Sequence, residues 1–239
     1  MGRPYPDEVL GRRFDRRLAW FAVGLAAVIF AVVAARNDAP PPDAALHDPA
    51  ATRQMLTLMR AGESVDSIVD YAFTRTVPGV PGEYRATITE VEWGDARISR
   101  AAGTLLIDLP GRAYDCERVE DTAECAPKPP DTSLPQSQVF ALATALGAYN
   151  VLPLPSRTIA GQPARCFEVK AAKPGRTLPG LGHQTDVCLA PDGVVLSTRR
   201  VADNATESRD AQRVLRQVDR DTVSGVFSGF DAAFLLLHR

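Results

Sequence analysis

Residues 84–109 read YRATITEVEWGDARISRAAGTLLIDL, and their pattern of apolar and polar residues indicates the class of fold. Apolar and polar side chains alternate along Tyr84–Trp93, and a strand places successive side chains on opposite faces of a sheet. The Gly94-Asp95 dipeptide then marks a turn, after which the alternation resumes with Leu105, Ile107 and Leu109 on one face. Short alternating runs separated by turn residues predict an antiparallel sheet.

The alternation extends in both directions from this stretch. A strand is predicted to follow Val65, where Val69, Tyr71 and Phe73 alternate with polar neighbours. Further strands are predicted over residues 96–101, 103–109, 113–119, 122–125, 162–171, 185–190, 194–201 and 213–223. The chain then ends in an apolar segment, residues 227–237.

Two helices are predicted within the same region. Asp48 has the properties of an N-cap before Pro49 at the first helical position, and Gly62 is placed to end that helix. Ser133 and Gln136 have capping-box spacing and predict a second helix over residues 136–150. Its apolar residues at helical spacing are Val139, Leu142, Ala143, Leu146 and Tyr149. The element order predicts an α+β fold, a strongly curved antiparallel sheet (a half-barrel) packed against helices.

A run of eighteen uncharged residues precedes this domain. Residues 18–35, from Leu18 to Ala35, read LAWFAVGLAAVIFAVVAA, and a helix through them would rise roughly 27 Å, close to the hydrocarbon thickness of a bilayer. The arginines on its N-terminal side are Arg12, Arg13, Arg16 and Arg17. Because Lys and Arg remain on the cytoplasmic side, we expect a single-pass anchor in the cell membrane with a cytoplasmic N-terminus.

A cleaved secretory signal is the alternative for the same run, since Val33 and Ala35 could precede a cut at Arg36. The run is longer than the 7–15-residue apolar core typical of signal peptides, which favours a retained anchor. The domain assignment is therefore a cytoplasmic tail (1–17), an anchor (18–35), a proline-rich linker (36–47) and an extracytoplasmic domain (48–239).

Charge argues against nucleic acid as a partner. The chain has 27 Lys and Arg against 29 Asp and Glu, a formal net charge of −2. Six of the arginines lie within residues 1–36, so the predicted exported domain is more acidic than the whole chain. A mildly acidic domain lacks the basic surface of a nucleic-acid-binding protein.

The four cysteines are Cys116, Cys125, Cys166 and Cys188. An even number in an oxidising compartment predicts two disulfides, with three possible connectivities. We favour Cys116–Cys125 and Cys166–Cys188, because each pair brackets a predicted hairpin. A zinc site is the competing interpretation, but the spacing is not C-x₂-C and His183 is the only histidine near a cysteine.

Few residues suggest catalysis. The histidines His47, His183 and His238 lack the neighbours of a nucleophile–base pair. Glu90 and Glu92 share one strand face, where a catalytic carboxylate pair and two solvated side chains are both possible. We expect a protein that is not an enzyme and that has no cofactor and no metal.

The C-terminal half carries a family resemblance. The relevant residues are Thr158-Ile-Ala-Gly161-x-x-x-x-Cys166-Phe-Glu-Val and then Val187-Cys188-Leu-x-x-Asp192-Gly193-Val-x-Leu196. Together with the order of elements, they resemble the extracytoplasmic lipoprotein-type domains of the LolA/LolB and mycobacterial LppX/LprG superfamily. The resemblance implies an open half-barrel around helices, which in several members holds lipid. This chain departs from lipoprotein members because no cysteine comes directly after its apolar run.

Two functions remain open at this point. The first is a membrane-anchored binding module for a lipid or other apolar ligand of the envelope. The second is a protein-interaction or sensor domain with an envelope protein partner and a filled core. The candidate cavity residues are Ile88, Leu105, Ile107, Leu142, Leu146, Phe167, Val169 and Leu196. A packed core and an open cavity both need apolar residues on one strand face, so the pattern does not separate them.

Overall fold

A computed structural model describes residues 48–119, 122–129, 134–173, 177–178 and 180–238. The helices in this part of the chain are α1 (Pro49–Gly62), α2 (Gln136–Ala145), α3 (Arg220–Val226), α4 (Asp231–Phe234) and a 3₁₀ turn (Leu235–His238). The strands are β1 (Ser67–Thr76), β2 (Tyr84–Trp93), β3 (Ala96–Ala101), β4 (Thr104–Leu109), β5 (Arg112–Val119), β6 (Thr122–Lys128), β7 (Tyr149–Ile159), β8 (Gln162–Ala171), β9 (Gln184–Leu189), β10 (Val195–Val201) and β11 (Thr206–Leu215).

The eleven strands of the described residues form one open antiparallel sheet. Its order is β6-β5-β4-β3-β2-β1-β11-β10-β9-β8-β7, so each strand pairs with its sequence neighbour except at the centre. There β1 pairs with β11, and Ile68 lies opposite Leu215. The predicted α+β class and the antiparallel sheet are confirmed.

One half of the sheet packs against α1 and α2. Met55 of α1 and Phe140 of α2 are fully buried against Phe167 of β8 and Val187 of β9. Asp48 caps α1, because its carboxylate accepts hydrogen bonds from the backbone N–H groups of Ala50 and Ala51. The predicted start of this helix is confirmed.

The other half packs against the C-terminal segment. Phe227 and Phe230 are buried against Ile98 and Ile107 of the meander. Arg100 fastens the segment, since it donates a hydrogen bond to the Val226 carbonyl at 2.6 Å and lies over the Phe230 ring. These apolar residues continue the face of Ile68, whereas the next residue, Val69, points to the opposite face.

Both disulfides have the predicted pairing. Cys116 lies directly opposite Cys125 on β5 and β6, and Cys166 lies directly opposite Cys188 on β8 and β9. The Cys166–Cys188 pair belongs to a third buried cluster that also contains Leu196. Disulfides persist in oxidising compartments, which indicates an extracytoplasmic domain.

Two of the sequence expectations are wrong. The strand predicted over residues 213–223 is instead β11, which ends at Leu215, and Asp219 then caps α3 by accepting a hydrogen bond from Thr222 N. The helix predicted over residues 136–150 ends at Ala145, because Gly147 adopts a left-handed conformation with φ of 64°. Tyr149 therefore begins β7 rather than extending the helix.

The predicted tail, anchor and linker lie in residues 1–47, outside the described residues, as does Ser133 of the predicted capping box. Among the described residues, no helix has the length and apolar character that a membrane span requires.

Candidate functional site

A cavity of about 490 Å³ lies between the sheet and the adjoining ends of α1 and α2. Its floor is the Val69 face of β1 with β2 and β3, and Arg209 of β11 adds to it. The end of α1, the start of α2 and the Gly193 turn between β9 and β10 form its walls. The close approach of α1 to this turn positions the cavity over the centre of the sheet.

Much of the cavity lining is apolar. The apolar residues that line it include Met59, Val69, Leu134, Val139, Leu181 and Val194. Met59, Leu181 and Val194 are buried, while Leu134 is 52% exposed and lies before α2. This wall can cover a hydrocarbon chain, because burial of apolar area is favourable and does not depend on direction.

The floor of the cavity is charged, and its charges are mostly paired. Glu90 of β2 forms an ion pair with Arg209 of β11, and Glu92 forms one with Arg97 at 2.7 Å. The Tyr71 hydroxyl donates a hydrogen bond to the Val195 carbonyl at 2.7 Å. The floor is therefore a polar surface with fixed partners.

Burial changes the acidity of two of these groups. It raises the pKa of Glu92, although the charge and hydrogen bond of Arg97 act in the opposite direction. Burial also raises the pKa of Tyr71, and the neighbouring Glu90 carboxylate adds to this rise. Tyr71 therefore remains a neutral hydrogen-bond donor at physiological pH.

A second cavity of about 210 Å³ adjoins the first. Both are lined by Tyr71, Glu90, Gln136, Gly180, Val195 and Arg209. The second extends towards the ion pair of Arg200 with Glu207, whose closest atoms are 2.6 Å apart. We refer to the two cavities together as the groove.

The start of α2 has an unusual cap. Pro135 is at its N-cap position and offers no side-chain hydrogen bond. Instead, the carboxylate of Glu63, which follows α1, accepts a hydrogen bond from Ser137 N at 3.3 Å. The Ser137 side chain is buried, and its Oγ has no hydrogen-bond partner within the part of the chain that the structure describes.

The candidate cavity residues from the sequence lie elsewhere. Leu105 and Ile107 are fully buried in the cluster of the C-terminal segment, Phe167 and Val169 in the cluster beneath α1 and α2, and Leu196 in the third cluster. Ile88 and Leu146 are partly buried, and Leu142 is 49% exposed. None of these eight residues lines the groove within the described structure.

Glu90 and Glu92, weighed from the sequence as a catalytic pair, are both in the groove lining, and each is held by its own arginine. Sequence reasoning missed Arg209, which is separated from Glu90 by 119 positions, and no local pattern connects the two. It also missed Ser137, although the predicted helix start at residue 136 places this residue in the first turn of α2.

No family model matches the chain, and no curated protein matches it. The MucA/MucB complex of Pseudomonas aeruginosa is similar in structure, with 15% identity and a TM-score of 0.47 over 72% of this chain and 60% of that one. The chain thus spans about 60% of the length of the chain that it matches in that complex.

LprF from Mycobacterium bovis is 11% identical with a TM-score of 0.41, over 72% of this chain and 96% of that chain. The lipoprotein LppX from Mycobacterium tuberculosis is 10% identical with a TM-score of 0.34, over 70% and 98% of the two chains. The LolA/LppX-like resemblance is one of fold, and likeness of this degree implies no shared activity.

Proposed function

We propose that the protein is an extracytoplasmic binding module whose groove takes a lipid or another ligand with an apolar chain. The observation that carries this proposal is the groove itself, which lies between helices and sheet and has one apolar wall. Its main cavity of about 490 Å³ falls within the range typical of small-molecule sites. The function is binding without catalysis, and a membrane anchor over residues 18–35 would hold the module at the envelope.

The lining supports an amphipathic ligand rather than a purely apolar one. A hydrocarbon chain against Met59 and Val139 would leave the charged residues of the groove, such as Glu90 and Arg209, to a polar part of the ligand. Covering charges with hydrocarbon costs free energy unless they keep polar partners. A ligand with one apolar and one polar end can contact the apolar wall with its hydrocarbon and the charged floor with its polar group.

Occlusion of the groove tests the proposal. Val139 lines the groove on α2, whereas Leu142, three residues later on the same helix, is half exposed and outside it. Val139→Trp in the full chain should abolish binding of the uncharged apolar dye Nile red, and Leu142→Trp should leave binding unchanged. Melting temperatures by circular dichroism check that both variants fold. Equal binding by the two variants would contradict a ligand site in the groove.

A protein-interaction domain is the second candidate. The observation in its favour is the exposure of two leucines, Leu134 at the groove and Leu142 on α2. A partner protein that covered both leucines would remove this apolar area from water. Native mass spectrometry of the purified full chain separates the candidates, since a co-purifying small molecule supports the first and its absence, with no Nile red uptake, supports the second.

A further inference from the structure

Among the groove's charged residues, Glu63 differs from the rest. Glu90 and Glu92 are neutralised by Arg209 and Arg97, and Arg200 pairs with Glu207 farther along. Among the described residues, the Glu63 carboxylate has no ion-pair partner and accepts a single hydrogen bond, which comes from Ser137 N. Within the part of the chain that the structure describes, the end of the groove beside Glu63 therefore carries a negative charge that no ion pair compensates.

Ser137 provides an independent indication at the same place. Its side chain is 1% exposed, lines the groove, and leaves Oγ without a partner in the described structure. A buried hydroxyl without a partner is unfavourable, and such groups are uncommon in folded proteins. A ligand that offers a hydrogen-bond donor would satisfy the Oγ lone pairs.

We propose that Glu63 and Ser137 form a site for a primary ammonium group at the end of an alkyl chain. This assignment rests on the proposed function of the groove and specifies the polar end of its ligand. An ammonium group is a compact cation with three N–H donors, so it can satisfy the Glu63 carboxylate and the Ser137 hydroxyl together. The alkyl chain then follows Met59 and Val139 along the apolar wall.

The electrostatics of the groove disfavour the opposite charge. An anionic head group beside Glu63 would be repelled, and the two arginines that line the main cavity, Arg209 and Arg97, already form ion pairs with Glu90 and Glu92. Glu63 and Glu90 also contribute to the raised pKa of Glu92, for which burial is the main cause. The three carboxylates thus act on one another, as expected for a region of negative potential.

Four ligands with the same octyl chain test the assignment by calorimetry on the full chain. They are octylamine, octyltrimethylammonium, octanoate and octanol. We expect octylamine to bind about tenfold more tightly than octanol, and octanoate to bind more weakly than either. Octyltrimethylammonium carries the charge without N–H donors, so it should lose the contribution of Ser137.

Two variants and one control measure the contributions of Glu63 and Ser137 to binding separately. Glu63→Gln should weaken octylamine binding about tenfold and leave octanol binding unchanged. Ser137→Ala should weaken octylamine several-fold without affecting octyltrimethylammonium. Glu117→Gln removes an exposed carboxylate of β5 outside the groove and should change nothing. Ligand that binds outside the groove, for example to an anchor, does so equally in all variants. It therefore does not affect the difference in affinity between them.

The outcomes distinguish the two proposals. If none of the four ligands binds, the proposed function and this assignment both fail. If octanol and octanoate bind as well as octylamine, the ammonium assignment is wrong, and loss of that binding in Val139→Trp would show that the groove is still a ligand site. The affinities of the unmodified chain for the four ligands test the ammonium assignment even where a variant does not fold.

Discussion

Gly62 and Gly193 meet backbone to backbone, where the end of α1 touches the turn between β9 and β10. A Cβ atom added to Gly62 would overlap the Gly193 carbonyl, and one added to Gly193 would overlap the Leu58 carbonyl. Gly193 also adopts φ of 90°, a conformation that other residues rarely take. This contact fixes the distance between the helix and the sheet, and both glycines line the groove.

Gly193→Ala should therefore destabilise the domain by at least about 3 kcal/mol, from left-handed strain and backbone overlap together. Gly103 is the matched control, because it has φ of 91° but nothing near its Cβ position. Gly103→Ala should cost only the strain, about 1–2 kcal/mol. Denaturant unfolding measures both, and equal losses would show that the close approach is unimportant.

Ser137→Ala should stabilise the protein while it weakens amine binding. Removal of a buried hydroxyl without a partner is expected to raise the free energy of unfolding by about 1 kcal/mol. The backbone hydrogen bond from Ser137 N to Glu63 is retained in this variant. Thermal and denaturant unfolding without ligand provide the measurement. A loss of stability would mean that the hydroxyl has a partner in solution.

Ile107→Arg should unfold the domain rather than block a ligand. Ile107 is fully buried beneath the C-terminal segment, and an unpaired charge there should cost at least about 4 kcal/mol. Leu142→Arg on the half-exposed face of α2 is the control and should fold normally. A folded Ile107→Arg variant, judged by circular dichroism, would indicate that this cluster is open rather than packed.

Asp192 should make stability depend on pH in acid. Burial acts to raise its pKa, but the hydrogen bonds from Arg216 and Val194 N outweigh this, and the folded-state pKa is lowered. The ionised Asp192 carboxylate then makes its full contribution to the free energy of unfolding above the unfolded-state pKa of about 3.9. This contribution is lost as pH falls through the lower folded-state pKa.

The comparison of the unmodified chain with Asp192→Asn tests this linkage. Between about pH 4 and 2 the stability of the unmodified chain should fall more steeply, because the variant lacks the titrating carboxylate. Unfolding curves at several pH values give the slopes, and parallel slopes would argue against a lowered pKa.

Local patterns predicted most of the sheet. The bounds of β2 and β8 follow from alternation between turn residues, and both disulfides follow from hairpins that the turns define. These features depend on residues close together in the sequence. The same holds for the cap of α1, since Asp48 and Pro49 are adjacent to the helix that they begin.

The position of β11 could not be predicted in this way. This strand is rich in charged residues, and its stabilising partners are distant in sequence, such as Asp70 for Arg213. Ion pairs between neighbouring strands replace the apolar alternation that identifies other strands. The groove could not be predicted for the same reason, because Glu90 and Arg209 come together only when β1 pairs with β11.

The pairing of β1 with β11 has a consequence for synthesis and export. β1 can pair with β2 early, but its other edge has no partner until the chain has emerged as far as Leu215. During that interval Val69 and Tyr71 belong to an unprotected strand edge, the kind that promotes association between chains. The hairpin disulfides can close before this pairing, so oxidation is expected to precede completion of the sheet, and the interval is when a nascent chain most needs a chaperone.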